Sequence, residues 1–152
     1  MSTKIKNYAS LELAKKLKKI GFNEPCDYSY TVYTSDFIYD GDPDHHESHK
    51  KGDIHIYDFY NTNSDNEEHS YSMPHLYDVQ AWFRNRGIII IPECRKYEGY
   101  EEGGWGMVVY HEESGASGCR MKPFAEYEEA LQYGCIQATT WYIPDKTDSN
   151  KG

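Results

Sequence analysis

The segment from Ser72 to Pro92 leaves this chain the least freedom. Ser72 and Pro74 open a predicted helix in which Leu76, Val79 and Phe83 recur at helical spacing with Trp82 beside them. Arg84 and Arg86 sit where a helix dipole favours cations, and Gly87 closes the turn. Four consecutive isoleucines, 88–91, follow at once and stop at Pro92, a pattern that predicts a buried strand. Helix and strand in direct succession commit the chain to layers of both kinds of element.

With 152 residues the chain has the size of one ordinary domain and can bury a core without disulfide or metal staples. A mean hydropathy of -0.86 is polar for such a domain. Fifteen tyrosines, within an aromatic content of 15%, resolve the conflict: Tyr buries a large ring while scoring as polar, so a Tyr-rich core is expected. That content also argues against disorder, which is poor in aromatics.

The first helix is predicted from Ser10, an N-cap, with Leu13, Ala14, Leu17 and Ile20 on one stripe, and it ends at Gly21 with Phe22 folding back. Residues 28–34 have strand composition, with Tyr28, Tyr30 and Val32 on one face. Asp53 to Tyr60 reads as a second strand, and large side chains on both of its faces place it well inside a sheet. Polar residues 40–52 and 61–70 read as loops, Trp105 to His111 as the fourth strand, and Ser114 to Gly118 as a Gly-Ser loop. The last helix is entered at Pro123, with Phe124, Tyr127, Leu131, Gly134, Cys135, Ala138, Trp141 and Tyr142 at spacings of three or four. Gly134 lies on its buried stripe, where close packing against a sheet explains it. The order α-β-β-α-β-β-α predicts a single α+β domain over residues 1–143, with a mostly antiparallel four-stranded sheet and helices packed on one face; residues 144–152 are expected to be a flexible polar tail.

Cys26, Cys94, Cys119 and Cys135 are widely spaced and form no C-x-x-C pair, as expected of reduced thiols. No apolar run nears the roughly 20 residues that span a bilayer. The opening Met-Ser-Thr-Lys resembles neither a secretion signal nor a transit peptide, so a location in the cytoplasm of a bacterial host cell is expected, with no membrane partner. The formal charge of -9 divides into +5 over residues 1–20 and -14 over the rest. A body that acidic repels phosphate, which disfavours duplex nucleic acid as a partner.

Residues 71–84, Tyr-Ser-Met-Pro-His-Leu-Tyr-Asp-Val-Gln-Ala-Trp-Phe-Arg, resemble a helix found in a group of small uncharacterised proteins of Bacteroidetes and their phages or prophages, Ser-x-Pro-x-Leu-x-x-x-Gln-x-Trp-Leu/Phe-Arg followed by an Ile/Val strand. The likeness extends to Leu17-Lys18-Lys19-Ile20-Gly21-Phe22, to Glu24-Pro25-Cys26 and to Tyr127-Glu128-Glu129-Ala130-Leu131. The resemblance implies a mobile-element origin and a shared architecture, and carries no catalytic residue or cofactor.

Asp42, Asp44, His45, His46 and His49 offer oxygen and imidazole ligands suited to a divalent transition metal such as Zn²⁺. Pro43 and Gly41 disfavour a helix there, and the segment reads first as an exposed loop. A nucleophile would need Cys94 or Cys119 beside His111, without a local signature to support either. Gly103-Gly104-Trp105-Gly106 lacks phosphate-loop spacing and precedes a strand. Tyr97, Tyr100, Trp105 and Tyr110 could form an aromatic surface of the kind that anchors protein contacts. The reading that follows is a small acidic, cofactor-free, non-catalytic module that binds a host or phage protein through a Tyr/Trp-rich face, with homo-oligomerisation compatible. The alternative is a metal-binding module or metal-dependent hydrolase centred on residues 42–49.

Overall fold

The computed structural model describes residues 6–37, 49–95, 104–115, 117–119 and 124–142. Helix α1 (Leu11–Lys19) begins where Ser10 Oγ accepts from Leu13 N at 3.2 Å, and it buries Leu13, Ala14 and Leu17. It ends through a left-handed Gly21, φ +96°, which lets Phe22 N donate to Leu17 O at 2.9 Å and Gly21 N donate to Lys18 O at 3.2 Å. Strand β1 (Cys26–Val32) then pairs antiparallel with both β2 (Ile54–Asn61) and β3 (Ser70–Ser72), giving the order β2-β1-β3. Helix α2 (Leu76–Arg84) leads through Gly87 into β4 (Ile88–Arg95). Strand β5 (Gly104–His111) pairs with β4 and with β6 (Ser117–Cys119) in the order β4-β5-β6, and helix α3 (Tyr127–Trp141) follows.

The α+β class holds, but the single four-stranded sheet does not: the protein builds two three-stranded antiparallel sheets. Each expected hairpin forms and gains a short third strand in a segment that reads as loop. The hairpins are kept apart because the free side of β1 is taken by β3 while that of β4 is met by α2, whose Gln80 Nε2 donates to Ile90 O at 2.8 Å.

Local chemistry explains the other departures. Ser72 does not cap α2, because its hydroxyl donates to Asn61 Oδ1 at 2.6 Å; His75 Nδ1 accepts from Tyr77 N instead. The isoleucine run alternates, with Ile88 and Ile90 buried and Ile91 exposed, and the strand continues through Pro92 to Arg95. Pro is tolerated there because β4 is an edge strand and needs no donor on its outer side. The last helix starts at Tyr127 rather than Pro123, since Phe124 is held in a two-bond bridge with Trp105.

Two apolar clusters result. The larger joins Leu13 and Leu17 of α1, Leu76, Val79 and Phe83 of α2, Ile88, Ile90, Met107 and Val109 of the second sheet, and Leu131, Cys135 and Ala138 of α3. The smaller seats Ala14 of α1 against Tyr30 and Met73, with Tyr8, Leu11, Tyr28 and Tyr71 around them. Tyr therefore packs the first sheet onto α1, while aliphatic residues fill most of the larger core. A Cβ on Gly134 would meet Ile90 Cγ2 at 2.6 Å and Met107 Cγ at 2.8 Å, which accounts for a glycine on the buried face of α3.

The stretch after β2 is a polar knot. Asn61 Nδ2 donates to the Phe59 and Tyr28 carbonyls at 2.9 and 3.0 Å, and Asn66 Nδ2 donates to Asn61 Oδ1 at 3.0 Å. Asn63 bridges Phe22 O and Ser72 N at 2.9 and 2.8 Å, so the segment is pinned to both α1 and β3. Among the described residues no helix is long and apolar enough to cross a membrane.

Candidate functional site

Strand β2 is the place where the fold leaves its chemistry open. The prediction that it lies inside a sheet is overturned: it is an edge strand, and all of Ile54 to Tyr60 is exposed. The exposed fractions are 52% for Ile54, 46% for Ile56, 39% for Tyr57, 48% for Phe59 and 72% for Tyr60. Among the described residues three helices cover the Tyr30 face of the first sheet and the Ile90 face of the second, and none lies on the outer side of β2.

Pairing register fixes the two faces. Ile56 lies opposite Tyr30 and Ile54 opposite Val32, so the even residues share the face that packs on α1; His55 and Tyr57 lie opposite Thr31 and Ser29 on the other. On that outer face a row of rings runs from Phe37 through His49, Tyr33, His55 and Tyr57 to Phe59. His49 stacks on Tyr33 at 3.6 Å, His55 stands edge-on to Tyr33 at 4.9 Å, and the Tyr33 and Tyr57 hydroxyls bond to each other. On the even face, Ile56 borders a shallow groove of about 400 Å³ with Tyr8, Leu11 and Tyr30, rimmed by the Lys6–Glu126 ion pair.

The main chain of β2 is as open as its side chains. Val32 N donates to His69 O at 3.0 Å and Met73 N to Tyr28 O at 2.9 Å, so the even residues of β1 bond toward β3. Antiparallel alternation then turns the odd residues of β1 toward His55 and Tyr57. The N–H and C=O groups of Ile54, Ile56 and Asp58 consequently point away from the sheet, and no strand among the described residues pairs with them.

The sequence-derived site residues are distributed differently. Tyr97 and Tyr100 lie outside the described residues. Trp105 is half-buried against the core, edge-on to Tyr127 at 5.1 Å, and Tyr110 is exposed on β5. Asp42, Asp44, His45 and His46 lie outside the described residues; His49 is bridged antiparallel to Phe37 in addition to its stack on Tyr33. The described residues hold no group of three or more His, Cys, Asp or Glu placed to take a metal ion.

The Cys94–His111 pairing does not form. Cys94 is in register with Trp105 and His111 with Ile88, which separates them by about 20 Å along the hairpin at ~3.3 Å per residue. The side chain of Cys119 lies outside the described residues. Burial pushes the Cys26 thiol up to about 12, aided by the nearby Asp78 and Asp27 carboxylates, and burial raises Cys135 as well, the reverse of an activated nucleophile. A larger cleft of about 510 Å³ lies between Phe22–Pro25 and α2, where Arg86 covers the Trp82 ring at 3.8 Å and Glu24 and Asp78 supply two carboxylates.

Reading β2 as interior missed this surface. A strand with large residues on both faces is either central or an interface strand, and only the placement of the other elements tells the two apart. Comparison with protein-family models, with curated proteins and with solved structures finds no match to this chain.

Proposed function

We propose that this chain is a non-catalytic protein–protein interaction module whose docking element is β2. The observation that carries this reading is the coincidence, on one strand, of main-chain groups turned outward and five large apolar side chains left exposed. Tyr and Phe supply much of the energy of protein contacts, and an open strand edge supplies directional hydrogen bonds, so the two together favour strand addition by a protein partner. The raised thiols and the separation of Cys94 from His111 support a non-catalytic role.

The test is an immobilised full-length chain compared with its Ile56→Lys and Tyr60→Lys variants, with Ile91→Lys as an exposed control on the second sheet. Bound protein that disappears with both β2 variants and persists with Ile91→Lys supports the reading. Equal retention by all four chains refutes it.

A further inference from the structure

The described sheets have four edges, and three are protected. β3 is only three residues long, and Lys18 Nζ reaches over from α1 to Ser70 O and Glu67 O, both at 2.7 Å. β4 carries Pro92 and is met by Gln80 of α2. β6 is again three residues long, with the Trp141 ring lying against Gly118, where an added Cβ would stand 3.0 Å from Cζ2. Short length, Pro, Lys and an overlying helix are the devices by which sheets avoid unwanted pairing. β2 has none of these four: it runs eight residues without Pro or Lys, Asp58 is its one carboxylate, and its pairing with β1 is regular from Ile54 to Asp58, with a register shift only between Asp58 and Asn61.

We infer that β2 pairs with β2 of a second copy, antiparallel across a twofold axis at Tyr57, and so joins two three-stranded sheets into one of six. This rests on the interaction reading above and names its partner. Because the outward main-chain groups belong to even residues, a twofold ladder must match even with even. Two such registers keep seven residues paired, and the one centred on Asp58 would set that carboxylate against its own counterpart. The other sets Ile54 against Tyr60 of the second copy, Ile56 against Asp58, His55 against Phe59, and Tyr57 against its own counterpart. Ile–Tyr and His–Phe are favourable cross-strand neighbours. The most exposed ring of the strand, Tyr60, gains an aliphatic partner, and the ring row of each copy continues into that of the other.

The exposed area of these side chains sets the upper limit of what they contribute to the contact. Taking about 200 Å² for a whole large side chain, the five exposed residues of β2 leave roughly 500 Å² open per copy. Two copies offer about 1,000 Å² before the main chain is counted, the lower bound of a specific interface. Dissociation in the micromolar range is expected for a contact of this size, so the dimer forms reversibly with concentration.

The experiment is sedimentation and light scattering of the full chain from about 1 to 200 µM, a range that brackets micromolar dissociation. It is joined by disulfide trapping in a Cys94→Ser, Cys119→Ser background. The twofold pair at Tyr57 is of the non-hydrogen-bonded type, with Cα atoms about 4.5 Å apart, within disulfide range. The expected results are a concentration-dependent dimer mass, a monomer for Ile56→Lys with unchanged circular dichroism, rapid cross-linking of Tyr57→Cys and none of Tyr60→Cys. A monomer mass throughout, a dimer that survives Ile56→Lys, or trapping through Tyr60→Cys in place of Tyr57→Cys would overturn the inference. If the chain is monomeric yet Ile56→Lys still strips bound protein from the immobilised chain, the second copy is refuted and the interaction reading stands. If β2 variants change neither, both fall.

Discussion

Gly134→Ala places two opposing effects at one atom. In an exposed helix the change gains about 1 kcal/mol of propensity. Here the new Cβ lands 2.6 Å from Ile90 Cγ2, 2.8 Å from Met107 Cγ and 3.1 Å from Met107 Sδ. The first two lie about 1 Å inside the ~3.5–4.0 Å optimum for carbon pairs. Met107 can swing away; Ile90 is buried, β-branched and held in β4, so its χ1 has little freedom. Overpacking costs about 1–3 kcal/mol, and two contacts below 3.0 Å place this one at about 2–3 kcal/mol, so the net expectation is a loss of about 1–2 kcal/mol. For a chain of this length that is about 3–6 °C in Tm, or a lower urea midpoint at unchanged slope. In an Ile90→Ala background the clashing methyl is gone, and Gly134→Ala should stabilise by up to about 1 kcal/mol. The coupling between the two sites is then about 2–3 kcal/mol. A Gly134→Ala chain with a raised midpoint, or a cycle with no coupling, would refute the claim that α3 and the second sheet meet as closely as described.

Two further predictions concern the first sheet. Asn61→Ala takes one donor from each of the Tyr28 and Phe59 carbonyls and the acceptor from the Ser72 hydroxyl, and should cost about 2–4 kcal/mol by urea denaturation, whereas Ser29→Ala, at a buried Oγ with no hydrogen-bond partner among the described residues, should be neutral or slightly stabilising. If the two cost the same, the Asn61 network is not what holds β3 to β1. Burial pushes the Tyr30 phenol from its ordinary 10 up to about 12, and Cys26 from 9 to about 12. Both stay neutral in the folded chain while the unfolded chain ionises, so their contribution is intact below pH 9 and is lost as pH rises from there through 12. A fall on the order of 3 kcal/mol between pH 8 and pH 11 is expected, and equal stability at the two would refute the burial of these groups.

What the sequence disclosed follows a physical line. Ser10, Gly21 and Gly87 set helix ends by interactions within a few residues, and each acts as its type predicts. Gly134 was legible because helical period alone put it on the packed face. Ser70–Ser72 and Ser117–Cys119 were not legible as strands: three small or polar residues have no periodicity, and only the neighbouring β1 and β5 make them pair. Ser72 was misread for the same reason, its hydroxyl being claimed by Asn61 from eleven residues away. The candidate site suffered most. Composition places Tyr and Trp, but whether a ring fills a core or faces outward is decided by which elements remain to cover it. Trp105 is half-buried against the core and Tyr60 is largely exposed, though both sit in strands rich in aromatic and β-branched residues.

The ties between the two ends of the chain have a consequence for its synthesis. Lys6 bonds Glu126 at 2.9 Å, Ser10 N donates to Gln132 Oε1 at 3.0 Å, and Leu13 and Leu17 share a core with Leu131 and Ala138. Helix α1 is thus completed by α3, the last of the described helices to be made. At about 5–20 residues per second the gap of some 120 residues lasts roughly 6–24 s. Through that interval α1 has the first sheet on its Ala14 side and, once made, α2 beside Leu13 and Leu17, but lacks the cover of Leu131 and Ala138 while β2 is already made. Nascent chains crowded on one message would therefore present open strand edges to one another before their cores close, a setting in which pairing between neighbours competes directly with the closing of each chain on itself.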